Sequence, residues 1–155
     1  MTLTSRFVGV LCAGLAFTAI AGAAEKQIKK ADLPAAVQKT ADEQSQGSTV
    51  RGYSKDREDG KLEYEVQMTS NGHSKDVTIA PDGQLMEVEE EVALDSLPSP
   101  VQAALQSKAA KGKIAKVESL TKHGSLVAYE AQVEHGGKHS EVQVGPKGET
   151  LKHEE

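Results

Sequence analysis

Leu62-Glu63-Tyr64-Glu65-Val66-Gln67-Met68 alternates apolar with acidic or amide side chains, and Val127-Ala128-Tyr129-Glu130-Ala131-Gln132-Val133 echoes it 65 residues later. A period of two is the signature of a half-buried strand. It places Leu62, Tyr64, Val66 and Met68 on the buried side, with Val127, Tyr129, Ala131 and Val133 as their counterparts. Glu63 and Glu65 fall on the polar side. Asn71-Gly72 then marks a tight hairpin, and His135-Gly136-Gly137 stands in its place in the second stretch. The following strands bury Val77 and Ile79, or Val142 and Val144. Pro81-Asp82-Gly83 and Pro146-Lys147-Gly148 are turns into a last strand, over residues 84–92 in the first case and clipped to about residues 150–153 in the second. Upstream, strands around residues 50–54 and 114–120 close onto the tyrosine-bearing strands through Asp59-Gly60 and His123-Gly124.

The echo extends further back. Ala31-Asp32-Leu33-Pro34-Ala35-Ala36-Val37-Gln38 reads again as Asp95-Ser96-Leu97-Pro98-Ser99-Pro100-Val101-Gln102. These are helix starts, with Asp32 and Ser96 as N-caps and proline in the first turn, where a missing N–H costs little. Leu97, Val101 and Leu105 recur every four residues, with Ala104 beside them, and Leu33, Val37 and Ala41 form a weaker stripe. Gly47 and Gly112 read as the glycines that end the two helices. The fold class expected is α+β: two tandem repeats, each one helix packed on a three- to four-stranded antiparallel sheet whose other face is polar. The units span residues 24–92 and 93–155, and a unit this small is marginal alone, so the two are expected to pack together.

Residues 1–23 read as a signal peptide. A short start with one cation, Arg6, precedes an apolar run over residues 7–22, and Ala21-Gly22-Ala23 is a small-x-small cleavage site. The run is too short for a membrane span. Cys12, the only cysteine, lies inside it after Val10-Leu11, a poor context for lipidation. The mature protein is therefore expected to lack thiols and disulfides and to be periplasmic or secreted. With 23 Asp and Glu against 18 Lys and Arg the chain is acidic. Nucleic acid is a poor partner for such a surface. Tyr53, Tyr64 and Tyr129 are the only aromatic residues beyond the leader, so stacking platforms for bases or sugars are scarce.

Leu-Pro-x-x-Val at the helix start, Tyr64-Glu65-Val66 in a central strand, and Pro81-Asp82-Gly83 before Leu85-Met86-Glu87-Val88-Glu89-Glu90-Glu91 resemble the PepSY and PepSY-like domains. That group is similar in architecture to the beta-lactamase inhibitor protein. The resemblance covers most of residues 31–153, rests on structural motifs, and supplies no functional residue to carry over. It implies exported, non-catalytic modules that bind or inhibit peptidases and other hydrolases, or that sense in the cell envelope. The second unit departs from the pattern at its clipped last strand and at Lys147.

Candidate chemistry is sparse. His135 and His139 have an H-x3-H spacing, with His123 and His153 nearby in sequence, but the pair straddles a turn and no cysteine assists. Solvated turn histidines are the simpler reading. Glu87, Glu89 and Glu91 share one side of a strand, and Glu63 and Glu65 lie on the polar side of theirs. These acids suit a basic partner or a cation such as calcium, yet the interleaved spacing of a calcium loop is missing and a solvated face is expected. Asp56-Arg57-Glu58-Asp59-Gly60 reads as a hairpin tip. No Gly-x-Ser-x-Gly is present and no mature cysteine remains, so nucleophilic catalysis lacks its parts. Paired carboxylates suit glycoside hydrolysis, but the shortage of aromatics argues against a sugar cleft. Tyr64 and Tyr129 are expected to be packing residues. No catalytic, cofactor or metal residue is assigned. The expectation is an exported binding module that contacts or inhibits another protein; the alternative is a periplasmic sensor of a small ligand or divalent cation.

Overall fold

The computed structural model describes residues 23–58, 60–153 and 155. Residues 1–22, the bulk of the expected signal peptide with Arg6 and Cys12, lie outside them, as do Asp59 and Glu154. Eight strands run in chain order through one antiparallel sheet: β1 (Ala23–Ile28), β2 (Thr49–Glu58), β3 (Lys61–Ser70), β4 (His73–Ile79), β5 (Leu85–Glu91), β6 (Lys113–Lys122), β7 (Ser125–His135) and β8 (Lys138–Val144). Among the described residues two α-helices, α1 (Ala35–Gln44) and α2 (Ser99–Ala109), each preceded by a single 3-10 turn, complete the regular structure.

This corrects the expected fold of two tandem helix-on-sheet repeats. The decisive pairing joins β5 to β6, with Glu87 opposite Lys122, Glu89 opposite Leu120 and Glu91 opposite Glu118. Val92 N–H donates to Val117 C=O at 2.9 Å and His123 N–H to Met86 C=O at 2.8 Å, so the bonding continues past both ends of the Glu87–Glu91 register. The physical reason lies in the edges. Two separate sheets would leave four rows of unpaired backbone groups, and joining them leaves two. Two further differences follow. β1 pairs with β2 through Lys26–Lys55, Gln27–Ser54 and Ile28–Tyr53, extending the sheet at a segment for which no strand was expected. The clipped strand near residues 150–153 does not form, and β8 is the other edge.

Both helices lie on the same face, since residues directly opposite one another in the ladder share a side. Leu33, Val37 and Ala41 pack on Tyr64, Val66, Met68, Val77 and Ile79. Leu97, Val101 and Leu105 pack on Val117, Ala131 and Val144. The expected stripes are thus the buried ones. The helix starts differ from expectation. Leu33 and Leu97 are extended because a following proline disfavours helical dihedrals, so Pro34 and Pro98 are the N-caps. Asp32 instead accepts from Lys29 N–H at 3.0 Å, and the Ser96 hydroxyl donates to Ala93 C=O at 2.6 Å, each inside a single 3-10 turn.

Gly47 has φ +75 and fits its expected role after α1. Gly112 does not. Ala110 takes the left-handed conformation after α2, while Gly112 is needed because a Cβ there would sit 2.2 Å from Val133 Cγ1. A second departure is in β7, where Val127 falls at a register shift. Ala128 is then fully buried opposite Leu120 on the polar side, and Leu126 is left exposed. Asn71-Gly72, His123-Gly124 and Gly136-Gly137 all have positive φ at both positions, the conformation a two-residue hairpin requires.

One sheet spanning both core clusters should unfold as a unit. Leu105→Ala, which empties a fully buried site, should cost about 2–5 kcal/mol. In urea the wild type and the variant should each show one transition, at a lower midpoint for the variant, with Tyr64 and Tyr129 signals coincident. Separate transitions for the two tyrosines would contradict the joined sheet.

Candidate functional site

The face opposite the helices gathers the polar half of every central strand. Crossing the sheet, one row runs Gln27, Ser54, Glu65, Thr78, Glu87, Lys122, and the next runs Gly52, Gln67, Asp76, Glu89, Leu120, Ala128. Glu118, Glu130 and Gln143 form a third row toward β8. Glu63, Glu65, Glu87, Glu89 and Glu91 therefore share this face, as their strand parity predicts. They are not solvated as expected. All five are half-buried, Ser54 is 1% exposed and Glu118 4%. Crowding of long side chains on neighbouring strands removes the water that an isolated strand would have kept.

At the centre, carboxylate oxygens of Asp76, Glu89 and Glu118 lie within 4.8 Å of one another. Three like charges at that separation need compensation. Arg51 supplies one part, its guanidinium donating to Asp76 at 3.0 Å. It reaches this face because a bulge between Val50 and Gly52 leaves Arg51 without a ladder partner. Lys116 supplies another, 2.7 Å from Glu118, beside a similar register shift between Ile114 and Lys116. Lys122 stands 3.8 Å from Glu87. Ser74 donates to Glu91 from its backbone N–H at 2.9 Å and from its hydroxyl at 3.2 Å, and His73 lies 3.5 Å away. Glu65 accepts from Gln67 at 3.1 Å and from Ser54 at 3.4 Å. Glu89 receives no hydrogen bond or ion pair among the described residues.

Burial dominates the proton affinities here. It holds Asp56, Glu63, Glu65 and Glu87 above the ordinary carboxylate range. Asp76 is raised as well, because desolvation outweighs the opposing pull of Arg51 and Lys116. Glu89 is pushed up to about 8, first by burial and then by the charges of Glu87, Glu118, Glu130 and Asp76. Glu91 moves the other way, lowered by the Ser74 backbone N–H. With Arg51 and Lys116 already seated on two of the three central carboxylates, the cluster is compensated by the chain's own cations and by a proton.

The histidines do not converge. His123 is exposed at its turn, and His135 faces the Lys111 carbonyl at 3.3 Å. His139 pairs with Glu134 at 3.7 Å, and His153 lines a shallow cleft of about 300 Å³ with Lys108 and Glu141. Among the described residues the one group of converging donors is acidic. Tyr64 is buried in the first core cluster and Tyr129 packs against the second. Asp76, Glu118, Arg51 and Lys116 were missed by sequence reasoning. Asp76 had a signal, since period two outward from Val77 and Ile79 puts it on the polar side. Glu118 had none without the β5–β6 register.

A meandering antiparallel sheet with helices on one face only is the class that the geometry defines. Neither a family model nor a curated protein sequence matches the chain. Solved structures do. A protein from Bacteroides eggerthii assigned to the periplasm aligns with TM-score 0.63 at 20% identity, covering 77% of this chain and 86% of its own. A DUF2874 family protein from Bacteroides ovatus gives 0.60 at 22%, over 77% and 85%. A BLIP-like protein from Bacteroides fragilis gives 0.58 at 18%, over 77% and 83%. Identities this low establish a shared fold alone. The PepSY resemblance itself rests on the residues that suggested it. No helix among the described residues is long and apolar enough to cross a membrane.

Removing Arg51 leaves Asp76, with only 12% of its side chain exposed, without its nearest cation. Arg51→Ala should cost roughly 1–3 kcal/mol, toward the low end because the guanidinium is half exposed and screened. Asp76→Asn in the same chain should recover part of that loss in urea denaturation. Equal stability of wild type and Arg51→Ala would show that the pair carries no weight.

Proposed function

We propose that the chain is an exported, non-catalytic module whose polar sheet face receives a basic surface of another protein in the cell envelope or the medium. One observation carries the reading: Glu63, Glu65, Asp76, Glu87, Glu89, Glu91 and Glu118 share a sheet face that neither helix covers, against Arg51, Lys116 and Lys122. A field of that sign steers a cationic partner and penalises an anionic one. The fold shared with proteins described as periplasmic or BLIP-like supports a protein partner and a place in the envelope. A peptidase or another hydrolase is the partner class that the PepSY resemblance favours. The absence of a catalytic role is part of the same proposal, motivated by a sequence without a recognisable nucleophile arrangement.

A divalent cation is the rival occupant of this face, and the geometry favours it less because Arg51 and Lys116 already sit on Asp76 and Glu118.

The test uses the mature chain as bait in native envelope extract, beside a charge-reversed Glu63→Lys/Glu87→Lys variant. Wild type should retain a partner at low ionic strength, lose most of it near 0.5 M salt, and the variant should retain none. No partner under any salt, or equal retention by the variant, would defeat the proposal. A rise in melting temperature with millimolar calcium but no retained protein would favour the rival.

A further inference from the structure

Among the described residues the β5–β6 ladder is the one pairing that joins the first five strands to the last three, and Glu89 sits in the middle of it. Its surroundings on the polar face are unequal. From β2, Arg51 stops at Asp76; from β3 come Glu65 and the neutral Gln67; from β4, Asp76 stands directly opposite Glu89. Along β5 itself Glu87 and Glu91 lie two residues to either side. From β6, Lys116 is taken up by Glu118 and Lys122 lies beside Glu87, while the residue opposite Glu89 is buried Leu120. From β7, Glu130 adds another acid. The Lys75–Glu90 pair, 3.3 Å, belongs to the opposite face, as do both helices. Among the described residues every nearby cation is seated on another carboxylate, so Glu89 has no cation of its own.

We propose that Glu89, set between Asp76 and Glu118, is a proton-dependent latch on this seam: with its carboxyl protonated β5 stays on β6, and loss of that proton loosens the junction between the two parts of the sheet. The direction follows from linkage. A carboxylate in the unfolded chain titrates near 4.3, whereas Glu89 in the folded chain titrates at about 8. The folded state therefore binds more protons between those values, and stability falls as pH rises across that window. Asp56, Glu63, Glu65, Asp76 and Glu87, all raised, act in the same sense. Glu91, lowered, contributes stability that is lost on acidification instead. Glu87 and Glu91 share the seam but have Lys122 and the Ser74 donors; Glu89 stands mid-seam with neither, so its charge should weaken the junction locally before the whole sheet. The latch needs no partner and stands or fails separately from the binding proposal.

Native-state hydrogen exchange on the mature chain, expressed as protection factors at pH 6 and pH 9, tests it. In wild type the amides of β5 and β6 that bond across the seam should lose at least about tenfold more protection than those of β2, β3, β7 and β8. In Glu89→Gln, a neutral side chain of the same shape, that extra loss should vanish. A uniform change across the sheet, or an unchanged pH dependence in Glu89→Gln, would overturn the latch. Should the variant not fold, carbon-detected titration of the Glu89 carboxyl in wild type decides: a midpoint above about 6.5 supports the latch, and one below that rejects it.

Discussion

The pairing of β5 with β6 is the constraint on which the rest of the structure depends. Each of these strands would be a sheet edge if the chain folded as two separate sheets, and an edge exposes a row of unsatisfied N–H and C=O groups. Joined, they satisfy each other, set the direction of every later strand and bring both helices to one face. The short connection through Val92, Leu94 and Leu97 to α2 is packed against the second core cluster, so it transmits that register. A sheet assembled this way has one covered face and one open face, which is why polar side chains from all eight strands end up side by side.

The same pairing creates the electrostatic problem at the centre of the open face. Asp76 on β4 already faces Glu89 on β5, and the seam adds Glu118 of β6 to that pair. The chain answers with two cations delivered beside register shifts, Arg51 and Lys116, and with burial that raises the proton affinity of the acid left over. Concentrated like charge at a structural junction is a cost in stability, and proteins keep such arrangements at places that bind or respond. Here both readings converge on one face: its acids suit a basic partner, and its central cluster ties the joint of the sheet to pH.

Much of the local structure was legible in the residues. Leu33, Val37 and Ala41, and Leu97, Val101 and Leu105, announced their helix stripes, and Tyr64, Val66 and Met68 announced a buried strand face. What failed were features set by distant partners. Whether β5 is an edge or an interior strand depends on β6, and the alternation of Glu87, Glu89 and Glu91 reads identically in either case. Gly112 resembled a helix terminator, but its need for a missing side chain comes from Val133 across the sheet. The acids were read as solvated because a single strand cannot show that Ser54, Gln67 and Glu118 crowd in from neighbouring strands. Asp76 and Glu118 became site residues only once three strands were in register, and Arg51 only once a bulge turned it toward them.

The seam can be observed directly. The Val92 amide nitrogen and the Val117 carbonyl carbon are linked through a 2.9 Å hydrogen bond, and such a bond transmits a measurable scalar coupling in an isotopically labelled protein. A single joined sheet requires that coupling at pH 6, together with cross-strand nuclear Overhauser contacts between Glu89 and Leu120. A Val92 amide that shows no coupling and exchanges freely, in a protein whose β3–β4 and β7–β8 ladders are intact, would contradict the single sheet.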